Sequence, residues 1–394
     1  MIKLVKSSFY KEEETKRKLC KFILASDQLS IGKECKKFEI GFAKWQGRKY
    51  CVMVNSGSSA NLALIQALLN LGRIKKGDHI GFSALTWSTN VMPIIQLGLN
   101  AVPVDIELDT LNASSKKLLD VVAKYKLKAL FLTNLLGFCD DIDKIKEICD
   151  QKKIILIEDN CESLGTVYKG KKLGNFGLAS TFSFYVGHHM SAIEGGAVCT
   201  DNSQLETMLH LVRAHGWDRN LTKRKQLRIR NKFKVNSTFY SRYTFYDMGY
   251  NLRTTEINGF VGNIQLTFLD EIIQKRRDNF HRLAEPIYQQ TDKYYPIKYN
   301  HIDLVSNFAV PVICRSESIR NNLVKRCDNL VEIRPVVGGD MGMQPFFKKY
   351  MPQFVTRFDN PNAKLVHKQG LYFGNNPELT QKEIKEMINI FTRH

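Results

Sequence analysis

Short apolar runs alternate with amphipathic segments through the first 200 residues of the chain. After two helices predicted within residues 9–47, the runs KYCVMV, HIGFSA, AVPVDI, KALFLTNL and IILIEDN are typical of strands. Helical patterns lie between them, including ANLALIQALLNLG, residues 87–97 and DIDKIKEICDQKK. Strands without polar alternation are buried on both faces, so the pattern predicts a mostly parallel sheet covered by helices on both sides.

The pattern changes after a long helix predicted at 256–287. The chain becomes richer in tyrosine and asparagine, with isolated strands in SNFAVPVI and LVEIRP and a last helix in KEIKEMINIFTRH. We therefore predict a large α/β domain over residues 1–260 and a smaller α+β domain over residues 261–394. The long helix crosses this boundary, so the limit is approximate.

Three candidate segments fall at the ends of predicted strands, where an open parallel sheet binds its ligands. The turn NSGSS at 55–59 leads into a helix whose free N–H groups attract anions, although serine-rich helix starts are as often purely structural. In EDNCE at 158–162, a carboxylate follows a buried strand and can pair with a buried cation or cap a helix. Trp87 follows the strand HIGFSA and can stack on a flat ring, although a packed tryptophan is commoner.

A fourth segment, TFSFYVGHHMSAIEGGAVCT at 181–200, places two adjacent histidines between a strand and an EGG turn. A histidine moves protons near neutral pH but, unlike lysine, forms no imine with an aldehyde. A lone histidine is usually structural, whereas a pair in this position favours at least one catalytic residue.

Composition and charge exclude several classes of protein. The 394 residues are 43% hydrophobic and 25% charged, which is typical of a globular protein. There is no apolar run of about 18 residues and no apolar leader at the start, so we expect no membrane association and a cytoplasmic location. Nine scattered cysteines without a C-x-x-C pair predict reduced thiols and no metal site.

The formal net charge of +19 has two interpretations. A lysine-rich, solvated surface is favoured over nucleic-acid binding, because no nucleic-acid motif accompanies the charge. The densest cluster, RNLTKRKQLRIRNKFK at 219–234, is predicted to be a mobile loop that meets a phosphate-bearing substrate.

Six ordered segments resemble the DegT/DnrJ/EryC1/StrS sugar aminotransferase family, fold-type I enzymes that use pyridoxal phosphate (PLP). They are NSGSSAN, LTW, EDNCE with KGKKLGNFG, FSFYVGHHM with EGGAV, RAHGWDR, and GYNLRTTEINGFVGNIQL. In most members the position of His188 is the lysine that holds the cofactor. The chain resembles the branch that carries histidine there and makes 3-deoxy sugars.

The resemblance implies a role for each matched residue around the cofactor ring. His188 would be the acid–base catalyst, Trp87 would stack on the pyridine ring and Asp159 would pair with its nitrogen. Glu162 stands where aminotransferases usually have glutamine, and would contact the ring hydroxyl.

The resemblance also implies contacts at the phosphate and the substrate. The cofactor phosphate would be held by Gly57, Ser58 and Ser183. Asn251 would reach the phosphate of the neighbouring subunit's cofactor, which requires a homodimer with shared active sites. His215 and Arg334 are candidate substrate contacts.

The implied reaction is removal of the C3 hydroxyl from a nucleotide-linked 4-keto-6-deoxy sugar, for 3,6-dideoxy sugars of a surface polysaccharide. Pyridoxamine phosphate (PMP) would be held noncovalently, and L-glutamate would restore its amine. A GDP-linked sugar, a 6-deoxymannose derivative or a related heptose, is favoured.

Three alternatives are less consistent with the sequence. A sugar 4-aminotransferase would need an unusual lysine, and the lysines at 169, 171 and 172 lie on a predicted hairpin. A non-catalytic PLP-binding homologue gives no reason for histidine in particular at position 188. An iron–sulfur dehydrase needs four clustered cysteines, whereas only Cys199, Cys314 and Cys327 lie beyond residue 190.

Overall fold

The fold is described from a computed structural model that covers residues 1–355 and 357–393. Two helices, α1 (Glu12–Ala25) and α2 (Lys33–Gln46), form the N-terminal part, as the sequence predicts. Helix α2 buries Phe38 and Phe42 on one face and leaves lysines on the other, so its amphipathic pattern attaches it to the core.

Strands and helices then alternate as far as residue 200. They are β1 (Tyr50–Val54), α3 (Gly57–Asn70), β2 (His79–Ser83), α4 (Met92–Gln96), β3 (Asn100–Val104), α5 (Ser115–Val122), β4 (Leu127–Thr133), α6 (Ile142–Gln151), β5 (Ile155–Asp159), the hairpin β6 (Val167–Tyr168) and β7 (Lys171–Lys172), β8 (Ala179–Ser183) and β9 (Gly196–Thr200).

Seven of these strands form one sheet in the order β1-β9-β8-β5-β4-β2-β3. Neighbours from β3 to β8 pair in parallel, while β9 is antiparallel to both β8 and β1. Strand β1 therefore runs in the same direction as β5 and β8, and the carboxyl ends of all three lie at one edge. The prediction of a mostly parallel sheet is confirmed, and the candidate segments at 55–59 and 158–162 follow strands that end at this edge.

The rest of the chain carries a second, antiparallel sheet with its helices. The elements are α7 (Ser203–Arg213), α8 (Lys223–Lys232), α9 (Glu256–Thr267), α10 (Leu269–Tyr288), β10 (Tyr294–Tyr295), β11 (Ala309–Cys314), α11 (Glu317–Cys327), β12 (Ile333–Pro335), α12 (Pro345–Tyr350), α13 (Pro352–Val355), α14 (Pro361–Gln369), β13 (Gly370–Gly374) and α15 (Gln381–Thr392). The sheet order is β10-β11-β13-β12. The predicted division at residue 260 falls within α9, and it stays a prediction.

Two predicted helices are interrupted. The helix predicted at 256–287 breaks at Phe268 between α9 and α10. The helix predicted at 87–97 is a 3-10 turn at Ser88–Asn90 followed by the short α4, with Pro93 in its first turn. Asn90 is tied to the Thr86 hydroxyl and to Asp159, so the turn is fixed towards the carboxyl edge of the sheet.

The basic segment at 219–234 is not the loop that was predicted. Residues Lys223–Lys232 form helix α8, none of whose residues is buried. Arg230 pairs with the buried Asp218 at 2.7 Å, and Lys225 pairs with Glu206. These two ion pairs hold the helix on the protein, although its sequence shows no apolar face.

Residues 2–6 lie against the small sheet and its helices, which the sequence did not predict. Ile2 forms a β-bridge with Val331, and the Leu4 N–H donates to the Glu332 carboxylate at 2.9 Å. Lys6 pairs with Glu383 of α15 at 2.7 Å. In the ranges that the structure describes, no helix is long and apolar enough to cross a membrane.

Candidate active site

A cavity of about 290 Å³ opens at the carboxyl edge of the large sheet. It brings together eight of the ten residues predicted to form the site. They are Gly57, Ser58, Trp87, Asp159, Glu162, Ser183, His188 and Arg334. His215 and Asn251 do not line it.

One end of the cavity is the N-terminus of α3. The Ser56 hydroxyl caps this helix by accepting the Ser59 N–H at 3.0 Å, which leaves the N–H groups of Gly57 and Ser58 without an intrahelical acceptor. A Cβ atom on Gly57 would lie 2.7 Å from the Ser183 Cβ, so only glycine allows the helix start to approach the end of β8 this closely. The hydroxyls of Ser58 and Ser183, with the free N–H groups of the helix start, form a cradle suited to a phosphate.

The Asp159 carboxylate, at the end of β5, is buried in the floor of the cavity. Its Oδ2 accepts the side-chain amides of Asn61 at 3.0 Å and Asn90 at 2.7 Å, and its Oδ1 accepts the Cys161 N–H at 2.8 Å. Three donors fix the orientation of the carboxylate. It is therefore a rigid acceptor that can pair with a buried cation such as a protonated ring nitrogen.

Trp87 and Arg334 form parts of the cavity wall. The Trp87 side chain is 52% exposed despite its size, which suits an indole that stacks on a ligand. The Arg334 guanidinium is held by Glu332 at 2.7 Å, and Glu332 is itself held by the Leu4 N–H. The N-terminal segment thus positions a cavity-lining cation.

Glu162 is a second buried carboxyl group of the cavity. It accepts the Leu136 N–H at 3.1 Å, but burial raises its pKa to about 8, and the nearby charge of Asp159 contributes. At pH 7 the side chain is therefore a neutral carboxylic acid that can both donate and accept a hydrogen bond. A neutral carboxylic acid offers one donor and one acceptor, as a glutamine amide does.

Replacing Glu162 with glutamine is expected to preserve cofactor affinity at pH 7. Stability and cofactor affinity should fall in the wild type as the pH rises through about 8, and E162Q should not show this fall. The stabilising contribution of a carboxyl group with a raised pKa is complete below the pKa of the unfolded chain, about 4.3, and is lost as the pH rises through about 8. Urea denaturation and cofactor titration at pH 6 and 9 measure both effects. If stability and affinity fell in E162Q as much as in the wild type between pH 6 and 9, another group would be responsible for the pH dependence.

His188 lies between Tyr185 and Phe308, with ring centroids 5.8 Å and 5.2 Å away. Its backbone is fixed at both ends, because its N–H donates to the Tyr185 carbonyl at 2.9 Å and its carbonyl accepts Arg276 Nη2 at 3.0 Å. Burial, and then the charge of Arg276, lower the pKa of His188 to about 4. At neutral pH the imidazole is an uncharged base that can accept a proton.

The two remaining predicted residues lie on another surface. His215 has a left-handed φ of 56°, and its ring packs on Trp217 at 4.9 Å. Asn251 is exposed, accepts Arg253 Nε at 2.9 Å and is bridged to Ala214. Neither reaches the cavity of its own chain, so any role in a site requires a second copy.

The lysines of the hairpin at 169–172 are directed elsewhere. Lys169 pairs with Asp143, Lys171 lies over the Phe176 ring at 4.9 Å, and Lys172 donates to the Trp45 carbonyl. Among the described residues that line the cavity there is no lysine. In residues 1–355 and 357–393, no group of three or more metal-ligating side chains could hold a metal ion.

Several cavity residues were missed by the sequence analysis. Leu4, Phe308 and Tyr372 come from distant parts of the chain, and no local motif marks them. Asn90 carried a signal, since it follows Trp87 at the strand end that had been singled out. Glu194 also had one, because it belongs to the EGG turn.

The fold and the cavity define the class of the protein. The structure matches that of the GDP-4-keto-6-deoxy-D-mannose 3-dehydratase from E. coli with bound hydrated PLP, with a TM-score of 0.86, 34% identity and 96% of each chain covered. It also matches the structure of a GDP-4-keto-6-deoxymannose 3-dehydratase with a trapped PLP–glutamate geminal diamine, with a TM-score of 0.87, 32% identity and 99% and 100% coverage. The chain therefore has the fold-type I architecture of PLP-dependent aminotransferases.

The sequence comparisons identify the family. Residues 10–392 match the model of the DegT/DnrJ/EryC1/StrS aminotransferase family, and the chain belongs to that family. The GDP-4-keto-6-deoxy-D-mannose 3-dehydratase of Escherichia coli O55:H7 is 36% identical over 368 residues, which are 92% of this chain and 93% of the relative.

Proposed function

We propose that this protein is a PMP-dependent 3-dehydratase of a nucleotide-linked 4-keto-6-deoxy sugar. The observation that carries the proposal is that His188 lines the cavity. The sequence resemblance implies that this residue stands where most members of the family have the cofactor lysine. The relative at 36% identity, named for the same reaction on a GDP-linked sugar, supports it. A GDP-linked 6-deoxymannose derivative or a related heptose is the favoured substrate, and L-glutamate is the favoured amino donor.

The residues of the cavity fit the cofactor. The cradle at Gly57, Ser58 and Ser183 would hold its phosphate, Asp159 its ring nitrogen and Trp87 a face of the ring. When bound, the cofactor supplies an amine that condenses with the sugar ketone and a ring that accepts electrons. Neutral Glu162 would donate to, or accept from, the ring hydroxyl.

His188 would perform the proton transfers. Its uncharged imidazole would take a proton from the carbon attached to the cofactor ring, and the imidazolium so formed would return a proton to the departing C3 oxygen as water leaves. Burial keeps the imidazole uncharged, and the hydrogen bonds of the His188 backbone hold it in place. Among the described lining residues there is no lysine that could bind the aldehyde form of the cofactor, PLP, covalently.

A panel of nucleotide-linked 4-keto sugars, incubated with PMP and glutamate, tests the proposal by mass spectrometry. We expect loss of the C3 hydroxyl without gain of nitrogen, and release of ammonia in step with the 3-deoxy product. GDP-linked sugars should react faster than their dTDP counterparts. A stable 4-amino sugar without loss of water would instead establish an aminotransferase, and no reaction with any sugar would favour a non-catalytic homologue.

We further propose that the enzyme is a homodimer with shared sites, in which Asn251 reaches the partner's cofactor phosphate. Its side chain is exposed and lies outside its own cavity. Arg253, which donates to Asn251, lies over the Trp217 ring. Trp217 packs against the exposed rings of Tyr243 and Phe245, and a contiguous exposed apolar patch is typical of a protein–protein interface.

Mixing N251A and H188N chains tests the shared site. Each homodimer is expected to be weak or inactive, whereas the heterodimer combines both lesions in one site and neither in the other. After random exchange, about a quarter of all sites should be intact, and that fraction of activity should reappear. Exchange is verified with differently tagged chains, and no recovery would mean that each site is built from one chain.

A further inference from the structure

A second, smaller cavity lies behind His188. It measures about 30 Å³ and is lined by His188, His189 and Arg276, with polar residues of the N-terminal segment such as Ser7 and Ser8. A single water molecule requires roughly 10–15 Å³, so the space is large enough for one. His188 is thus shared by the cofactor cavity and this one.

Three buried nitrogens of the lining residues lack a partner among the residues that the structure describes. They are Nδ1 of His188, Nδ1 of His189 and Nε of Arg276. The His189 and Arg276 side chains are only 3% and 5% exposed, so bulk solvent does not satisfy them. A buried polar group without a hydrogen bond costs about 1–3 kcal/mol. The three groups belong to residues that line one cavity, where a polar ligand would satisfy them.

The tautomer of His189 follows from its one hydrogen bond. Its Nε2 lies 3.1 Å from the Ser306 carbonyl oxygen, which only accepts, so Nε2 carries the proton. Burial, and then the charge of Arg276, lower the pKa of His189 well below its usual value, so the ring is neutral. Nδ1 of His189 is therefore an acceptor.

The tautomer of His188 decides whether it can act as a base. Its Nδ1 is sealed from solvent, which leaves Nε2 as the nitrogen that faces the cofactor cavity. For Nε2 to accept a proton, the neutral ring must carry its own proton on Nδ1. A buried Nδ1–H group in turn needs an acceptor on the side of the small cavity.

We propose that His189 and Arg276 are positioning residues that set the tautomer of His188 through a water molecule bound in the small cavity. The water accepts from His188 Nδ1–H and from Arg276 Nε–H, and donates to His189 Nδ1. This arrangement satisfies all three nitrogens and leaves the lone pair of His188 on Nε2. The inference rests on the proposed function, in which His188 is the proton acceptor.

Three variants of His189 separate this role from a purely structural one. An asparagine places its amide near the position of Nδ1, whereas a glutamine places it near Nε2. We expect H189N to retain most of kcat, and H189Q and H189F to lower kcat about 10-fold with little change in KM. If His189 acted only through its hydrogen bond to the Ser306 carbonyl, H189Q would instead retain a higher kcat than H189N.

A matched control is His301, which has the same bonding pattern outside both cavities. Its Nε2 contacts the Cys139 carbonyl at 2.8 Å, and its Nδ1 is also buried without a partner in the described chain. The variants H301N and H301Q should leave kcat unchanged. They report the general cost of altering a buried histidine.

Nitrogen-15 NMR of PMP-loaded, full-length protein with labelled histidine measures the tautomer directly, with H188N used for assignment. We expect the proton of His188 on Nδ1 in the wild type, and a shift of population to Nε2–H in H189Q. A proton on Nε2 in the wild type, or equal activity in the three His189 variants, would overturn the inference. This readout does not depend on the product, so a stable 4-amino sugar in the substrate panel would refute the proposed function alone.

Discussion

Replacing His188 with asparagine is expected to lower dehydration by about 100-fold to 10,000-fold, while the fold and cofactor affinity remain close to wild type. Asparagine is smaller than histidine but keeps a polar group between Tyr185 and Phe308, and it cannot accept a proton near neutral pH. Turnover by mass spectrometry and PMP titration by fluorescence measure the two properties separately. The variant H301N is the control, and near-wild-type turnover of H188N would remove His188 from the mechanism.

The lysine variant at the same position gives a complementary result. His188→Lys should attach PLP covalently, which is seen as visible absorbance that borohydride abolishes, while dehydration falls. The wild-type protein should show neither property with PMP. Without covalent attachment in H188K, the alignment of this loop with the family's lysine loop would be wrong.

Replacing Asp159 with asparagine is expected to lower turnover by about 100-fold and to weaken cofactor binding. The variant loses the anion that would pair with the ring nitrogen, and electrostatic groups of this kind typically contribute two to three orders of magnitude. Whichever way the new amide is turned, its NH2 group faces either the Asn61 and Asn90 amides or the Cys161 N–H. At least one buried donor therefore loses its acceptor. That loss should reduce the free energy of unfolding by about 1–3 kcal/mol.

The control for Asp159 is Asp140, a carboxylate outside the cavity that accepts the Thr110 hydroxyl at 2.7 Å. The variant D140N should retain turnover and cofactor affinity. Unfolding by urea, followed by circular dichroism, measures the stability of both variants. If D159N bound and turned over like the wild type, the ring nitrogen would have another partner or none.

The elements that were predicted correctly are those whose evidence is local in the sequence. Strand β5 was recognised from a continuous apolar run, and Asp159 from its place at the end of that run. The cradle at Gly57 was recognised from the small residues that separate β1 from α3. Because parallel strands end at one edge, these local predictions were sufficient to place the residues in one cavity.

The elements that were missed depend on distant contacts or on burial. Helix α8 has no apolar face, and it is fixed instead by the ion pairs of Lys225 and Arg230 with residues outside it. The proton on Glu162 results from burial, which no motif records. The role of His215 as a substrate contact stays a prediction, because within one chain His215 packs on Trp217 and lies away from the cavity.

The hydrogen bond between the Leu4 N–H and Glu332 has a consequence for biosynthesis. The two residues are 328 positions apart, so this wall of the cavity cannot form until nearly the whole chain has left the ribosome. Contacts of such long range are formed slowly, because closing the intervening loop costs entropy before any contact stabilises it. A nascent chain that has already formed its large sheet would therefore still lack an oriented Arg334. Substrate binding would be acquired only when the C-terminal elements have been synthesised and have folded.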